Sequence, residues 1–323
     1  MTRASRPLPR TQRGAALLTA MIIVTLVATL AAAMVWQQWR AVQVEVAERA
    51  RLQSAWILSG ALEWAKLILR EDGKASSSVD HLGEPWAVPL AEARLSTFLA
   101  ADKNNVEDAP EAFLSGSITD AQSRYNLRNL VDQNAVQPVE VAALKRLFQA
   151  VDVAPDLVDT IANGMLSALA PPTGGTSPAD APLMPQRTEQ LTWLGIDPES
   201  VQKMTPYVVL LPVRTAVNVN TAPKEVLIAA IDNLDLGTAE RMVQTRQRQP
   251  FRNFDDVKAQ LPPTVAQALS QTRASIVSSF FEVRGRLRLE DRVLEESSLV
   301  ERRGIQIISL SRRREMSRES PTS

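Results

Sequence analysis

The chain has 323 residues, 45% of them hydrophobic, with 36 basic and 36 acidic side chains, one histidine and no cysteine. Without cysteine it can hold no disulfide framework, thiolate metal site or cysteine nucleophile, and any catalytic triad or histidine-containing zinc site would have to be built on His81 alone. The balanced charge argues against a nucleic-acid protein, which usually carries a basic excess. It also hides an asymmetry: Met1–Gly14 holds Arg3, Arg6, Arg10 and Arg13 and no acid, leaving 32 basic against 36 acidic residues in the rest.

After this basic leader, Ala15–Trp36 runs 22 residues without a charge. As a helix that stretch is roughly 33 Å long, enough to cross a hydrocarbon core of about 30 Å. Arginines before the span set an N-in, C-out orientation. Three processing routes compete. One is a secretory signal cut near Ala31-Ala32-Ala33, the second an uncut signal anchor. The third is a prepilin-type leader cut between Gly14 and Ala15, which keeps the span on the mature chain. A glycine directly against the apolar run favours the third, as does helical patterning that continues beyond Trp36. From Arg40 to Arg70 there is no proline, and Val46, Ala50, Ile57, Ala61, Trp64 and Ile68 form one helical stripe. Asp72-Gly73 supplies a stop. A single helix from Ala15 to about Arg70, roughly 84 Å long, is expected, half in lipid and half under a domain.

Turn residues dominate Gly73–Ser78 and Gly83-Glu84-Pro85, with a short strand at Gly116–Asp120 and a crossover from Asp120 to Leu130 (DAQSRYNLRNL). Helices are expected from Pro138 through Ala150 and from Pro155 to about Leu169. A proline-rich loop at 171–185 follows, then short helices at Thr188–Leu194 and Pro198–Met204. In Asn218-Val219-Asn220-Thr221-Ala222-Pro223 a hydroxyl cap and a proline open a helix through Leu227 and Ile231. An Asn233–Gly237 turn, a second helix Thr238–Arg248 and a third near Phe254 complete a helix-hairpin-helix-like segment. Its chemistry is poor for gripping phosphate, because the turn has one glycine, Gly237, and Asp232 and Asp235 place negative charge there. Arg241, Arg246 and Arg248 read as a solvated face. His81 reads as a turn residue, and no phosphate loop, metal-ligand spacing or nucleophile elbow is present, so no catalysis is expected.

From Phe281 the period changes to two: Phe281, Val283, Gly285, Leu287 and Leu289 alternate with charged residues as a half-buried strand. Val293–Arg302 and Gly304–Leu310 are further strands. Strands flanking about 150 helical residues indicate a small α+β domain with a large helical insertion.

The leader ending Arg13-Gly14, the segment AALLTAMIIV, the crossover Tyr125-Asn126-Leu127-Arg128-Asn129-Leu130, Thr205-Pro206-Tyr207-Val208 leading to Asn218–Ala222, and the Phe280–Leu310 strands occur in a set order. That set resembles the type II secretion system protein K family, the large minor pseudopilins. The resemblance implies an α+β pilin-like fold, a long transmembrane helix packed on a small antiparallel sheet, with a large all-α inserted domain. The corresponding divisions are a leader at 1–14, the span at 15–36, a periplasmic helix and first α/β part at 37–121, the insert at 122–279, terminal strands at 280–311 and a disordered tail at 312–323. It also implies cutting by a prepilin peptidase between Gly14 and Ala15, methylation of the new amine, and single-pass residence in the inner (cytoplasmic) membrane with the C-terminal domain in the periplasm. The implied partners are the I and J minor pseudopilins, the major pseudopilin and the inner-membrane assembly platform. The implied place is the tip of a filament that drives folded proteins through the outer-membrane secretin.

Most pilin-like subunits carry glutamate at the fifth mature position, where it offsets a neighbour's N-terminal ammonium in lipid. Here that position is Thr19, which points to the end of an assembly; alternatively, its hydroxyl simply bonds a backbone carbonyl. Some members of the family bind calcium in the insert, but the matching region, Thr160–Leu169, lacks the acids a hard cation needs. Asp152, Asp156, Asp159 and Asp180 lie nearby without a recognisable spacing, so calcium is left unassigned. Two other readings stay open: a membrane-anchored, competence-type DNA-binding protein built on the hairpin, and a type IV minor pilin.

Overall fold

The computed structural model describes residues 12–74, 79–95, 112–169, 182–289 and 292–318. Two compact units divide the chain, Met1–Ile57 and Leu58–Ser323. The leader up to residue 11, most of the proline-rich loop and the end of the tail lie outside the described residues.

The 63-residue helix α1 (Gln12–Lys74) begins in the first unit. With no proline between Gln12 and Lys74 and Gly14, Gly60 and Gly73 the only glycines, nothing in its sequence forces a break. In the first unit its apolar side chains are exposed on all sides, as for the consecutive Met21, Ile22, Ile23 and Val24. In the second unit the helix is one-sided: Leu58, Leu62, Ala65 and Leu69 are buried at spacings of 4, 3 and 4. This differs from the expected stripe, since Val46 and Trp64 are exposed. The physical reason is distance. Leucine and alanine let the helix approach a sheet that is itself thinned by glycine; a Cβ on Gly285 would meet Leu58 Cδ2 at 3.1 Å.

That sheet has five antiparallel strands in the order β1-β2-β9-β10-β11. They are β1 (Leu90–Arg94), β2 (Ala112–Asp120), β9 (Phe280–Leu289), β10 (Arg292–Arg303) and β11 (Gln306–Arg318). Register stacks Ile118, Val283 and Ser298 in one row and Gly116, Gly285 and Glu296 in the next. Leu62, Ala65 and Leu69 pack on Ile118, Phe281, Val283, Val300 and Trp86, whose ring meets Phe281 edge-on with centroids 5.3 Å apart. Strand β1 had no counterpart in the sequence reading: LAEAR has helical composition and is held as an edge strand by pairing with β2. The tail expected to be disordered from 312 is corrected too. Ser311–Arg318 continues β11, paired with Arg292–Leu299, because the edge of β10 in the four strands already hydrogen-bonded presents a template for it.

Between β2 and β9 lies the insert. It contains α2 (Pro138–Ala150), α3 (Leu157–Leu169), a 3-10 turn Thr188–Leu194, α4 (Pro198–Met204), α5 (Lys224–Ala230), α6 (Leu236–Arg248), α7 (Phe254–Lys258) and α8 (Pro263–Ala268). Short bridges tie it: β3 (Tyr125–Asn126) runs parallel to β6 (Val208–Val209), β4 (Val131–Asp132) antiparallel to β5 (Ala135–Val136), and β7 (Val217–Asn218) parallel to β8 (Ala274–Ser275). Its hydrophobic core, including Leu144, Phe148, Ile161, Leu227 and Met242, is a cluster separate from the one beneath the sheet.

Candidate functional site: an apolar helix and buried polar staples

The two ordered motifs of the sequence fold into hydrogen-bonded staples. In the crossover, the Tyr125 hydroxyl donates to Glu140 Oε2 at 2.6 Å, and burial beside that carboxylate pushes the phenol well up. Asn126 Nδ2 donates to Val213 O and Thr215 Oγ1, while its Oδ1 accepts from Leu211 N and Arg128 N. Asn129 closes a two-bond pair with the backbone of Thr215. All three side chains are buried, so each amide replaces a backbone partner that the irregular chain at 210–216 lacks.

The second motif was expected to cap a helix, and the structure corrects this. The residue before α5 is Pro223, without a side-chain cap. Thr221 Oγ1 donates instead to Asp120 Oδ2 at 2.6 Å, joined there by Ser278 Oγ at 2.6 Å and Asn218 Nδ2 at 3.0 Å; Asp120 Oδ1 accepts from Gln122 N. Asn218 also donates to Asp80 O, and Asn220 makes two bonds with the backbone of Phe251. Asp120 ends β2, Ser278 precedes β9 and Asn218 and Thr221 belong to the insert, so one carboxylate joins the two ends of the sheet to the inserted block. Burial pushes Asp120's carboxyl up, with the Ser278 and Thr221 hydroxyls pulling against it. Gln122 adds a further staple, accepting from Ser279 N and donating to Ala216 O.

Beside this network, the carboxyl oxygens of Asp72, Asp80 and Glu84 gather within 4.8 Å of one another. Their donors are supplied by the protein. Arg302 reaches Asp72 at 3.0 Å and Asp80 at 2.5 Å, with its guanidinium over the Phe281 ring, and Glu84 accepts from Trp86 Nε1 at 2.7 Å. Burial, then the Glu84 charge, pushes Asp72 up to about 6; burial raises Asp80 as well. His81 sits in the adjoining turn, where Nδ1 accepts from Gly83 N.

Among the described residues, the acids considered for calcium, Asp152, Asp156 and Asp159, form no carboxylate cluster. Asp159 is held by Lys145 at 2.7 Å, and Asp152 is solvent-exposed, 3.9 Å from Lys203. Asp180 lies outside the described residues. The described acids of this set, Asp152, Asp156 and Asp159, do not by themselves supply the six to eight oxygens such a cation takes.

In the hairpin, Asp235 caps α6, accepting from Thr238 N at 2.9 Å and Thr238 Oγ1 at 2.6 Å, so a carboxylate fills the position a phosphate would take. Asp232 is clamped by Arg146 and Arg273, whose hydrogen bonds hold its pKa down, those of Arg273 foremost. Arg246 is a correction to the solvated-face reading: it is buried, donates to Val219 O, and burial lowers it to about 10.

At the start of the chain, Gly14 and Ala15 both lie within α1. Thr19 Oγ1 bonds Ala15 O at 2.7 Å and Ala16 O at 3.1 Å, so the hydroxyl is satisfied by its own helix.

Two sequence profiles described as "Type II secretion system (T2SS), protein K" match residues 123–213 and 217–276, the stretches that carry the two stapling motifs. The chain belongs to the type II secretion system protein K family. Protein K of Pseudomonas aeruginosa is 27% identical over 304 residues, covering 88% of this chain and 86% of the relative. That of Klebsiella pneumoniae is 29% identical over 261 residues, covering 73% and 75%. The fold is similar to a chain of the GspK-GspI-GspJ complex from enterotoxigenic Escherichia coli, with TM-score 0.65, 21% identity, and coverage of 84% of this chain and 99% of that one. The chain is a minor pseudopilin of the type II secretion system, with a pilin-like α+β fold, a helical insert and an N-terminal helix long and apolar enough to cross a membrane.

Proposed function

We propose that this minor pseudopilin sits at the tip of the pseudopilus. In this reading a prepilin peptidase cuts between Gly14 and Ala15, the helix remains in the inner membrane, and the domain beginning near Leu58 works in the periplasm. The divisions at 1–14, 15–36, 37–121, 122–279 and 280–311 belong to the same reading, with the last one extended by the rest of β11.

The observation that carries the proposal is Thr19. In a shaft, each subunit offers a carboxylate to a neighbour's ammonium, because an unpaired charge in lipid is costly. Thr19 offers no charge, and its hydroxyl is already spent on Ala15 and Ala16. Nothing can therefore be stacked productively beyond this subunit through that pairing. Its own ammonium still needs a partner, which a glutamate of the subunit below would supply. The proposed partners are the I and J minor pseudopilins, as in the complex of the E. coli relative, together with the major pseudopilin and the assembly platform.

Thr19→Glu tests this. Restoring the carboxylate is expected to admit the subunit to the shaft or jam the tip, read as altered pseudopilus length and reduced secretion. Unchanged length and secretion would count against the charge argument. Mass spectrometry of the mature chain should find Ala15 as the first residue, and a start after Ala33 would reject the leader.

A further inference from the structure

The face of α1 at the outer end of the apolar span carries Trp36, Trp39 and Arg40, the latter two three and four residues beyond Trp36 and so on one side of the helix. Both indoles are more than half exposed, at 58% and 60%. The Arg40 guanidinium lies 4.2 Å from the Trp36 ring centroid, a cation–π pair that fixes the charge against the ring rather than in bulk water. Arg40 is also the first charged residue after Arg13. From Ala15 to Arg40 the helix rises about 38 Å, which matches a hydrocarbon core of about 30 Å with part of the headgroup layer at each end.

Cutting after Gly14 would remove all four leader arginines. The inner end of the span would then keep a single charge, the Ala15 ammonium, since Thr19 contributes none. The restraint on helix depth must come mainly from the other end. Indole rings favour the interfacial layer, and a guanidinium prefers phosphate oxygens to bulk water because of its fork of N–H donors.

Resting on the membrane reading above, we propose that Trp36, Trp39 and Arg40 form a lipid-headgroup binding face, with Arg40 on a phosphate of the outer leaflet, that sets the depth of the mature helix. The absence of cysteine gives a clean test. The mature full-length chain is placed in phosphatidylethanolamine–phosphatidylglycerol vesicles with its C-terminal domain outside. Single-cysteine variants Thr25→Cys, Ala33→Cys and Val42→Cys are then labelled with an impermeant maleimide. Val42→Cys should react and the other two stay protected. Adding Trp36→Ala, Trp39→Ala and Arg40→Gln should speed labelling of Ala33→Cys by about fivefold or more as the helix loses its register. Vesicles of phosphate-free glycolipid should reproduce part of that gain with the native anchor. Unchanged labelling of Ala33→Cys in the triple variant would overturn the anchor, and equal labelling in both lipids would overturn the phosphate contact. If Thr25→Cys reacts as fast as Val42→Cys, the span itself is wrong, a failure distinct from either.

Discussion

Helix α1 carries two kinds of apolar surface. Before Trp36 it is greasy all round: the consecutive Met21, Ile22, Ile23 and Val24 each leave more than half their surface uncovered. Beyond Leu58 it buries only Leu58, Leu62, Ala65 and Leu69, and the opposite side carries Glu63, Lys66 and Arg70. The same helix geometry therefore serves two solvents. A uniform apolar circumference suits hydrocarbon, where every direction is equivalent, whereas a narrow stripe suits a sheet on one side and water on the other.

The difference can be broken at several points. The largest effect is expected away from the helix, at the carboxylate that fastens the sheet to the insert. Asp120→Ala strands the donors of Gln122, Asn218, Thr221 and Ser278 and should cost about 3–5 kcal/mol, read by thermal or denaturant unfolding of the detergent-solubilised mature chain. Next comes the direct contrast along α1. Leu62→Ala should cost about 2–4 kcal/mol, and Leu26→Ala should leave the same unfolding transition within about 0.5 kcal/mol, because only the first removes buried contacts in protein. Equal losses at the two sites would erase the distinction.

The smallest effect is a pH dependence at the end of the helix. Asp72 is raised to about 6 from an unfolded value near 3.9. Its contribution is therefore full below about pH 4 and is lost as pH rises through about 6, since only the unfolded chain releases the proton readily in that window. Asp72→Asn should remove the share of the slope that Asp72 contributes and leave that of Asp80 and Asp120, which burial raises as well. Relative to that variant, the native chain should lose on the order of 1–2 kcal/mol between pH 4 and 7, measured as melting temperature against pH.

Much of this was legible from residues alone. Pro138–Ala150 and Pro198–Met204 were marked at both ends, because proline at the first turn and a change of periodicity are local signals. The β9 strand announced itself by strict alternation. The stapling asparagines were seen as a motif, but their role was not. A cap at Thr221 and a bond to Asp120, 101 residues away, look identical in sequence. Arg246 shows the same limit, since an arginine on a helix reads as solvated until the neighbouring carbonyl of Val219 is in place. Strand β1 and the end of β11 were missed because edge strands take their conformation from the neighbour that pairs with them.

The sequence determined where the longer helices lie, that the first of them is uniformly apolar over a membrane's thickness, and that position 19 carries no charge, because all three follow from composition within a few residues. Only the tertiary structure decided which side of α1 faces the sheet, which polar groups are buried together around Asp120, and that Arg302 pairs with both Asp72 and Asp80. Those outcomes depend on distances between segments far apart in the chain, and burial turns such distances into energy.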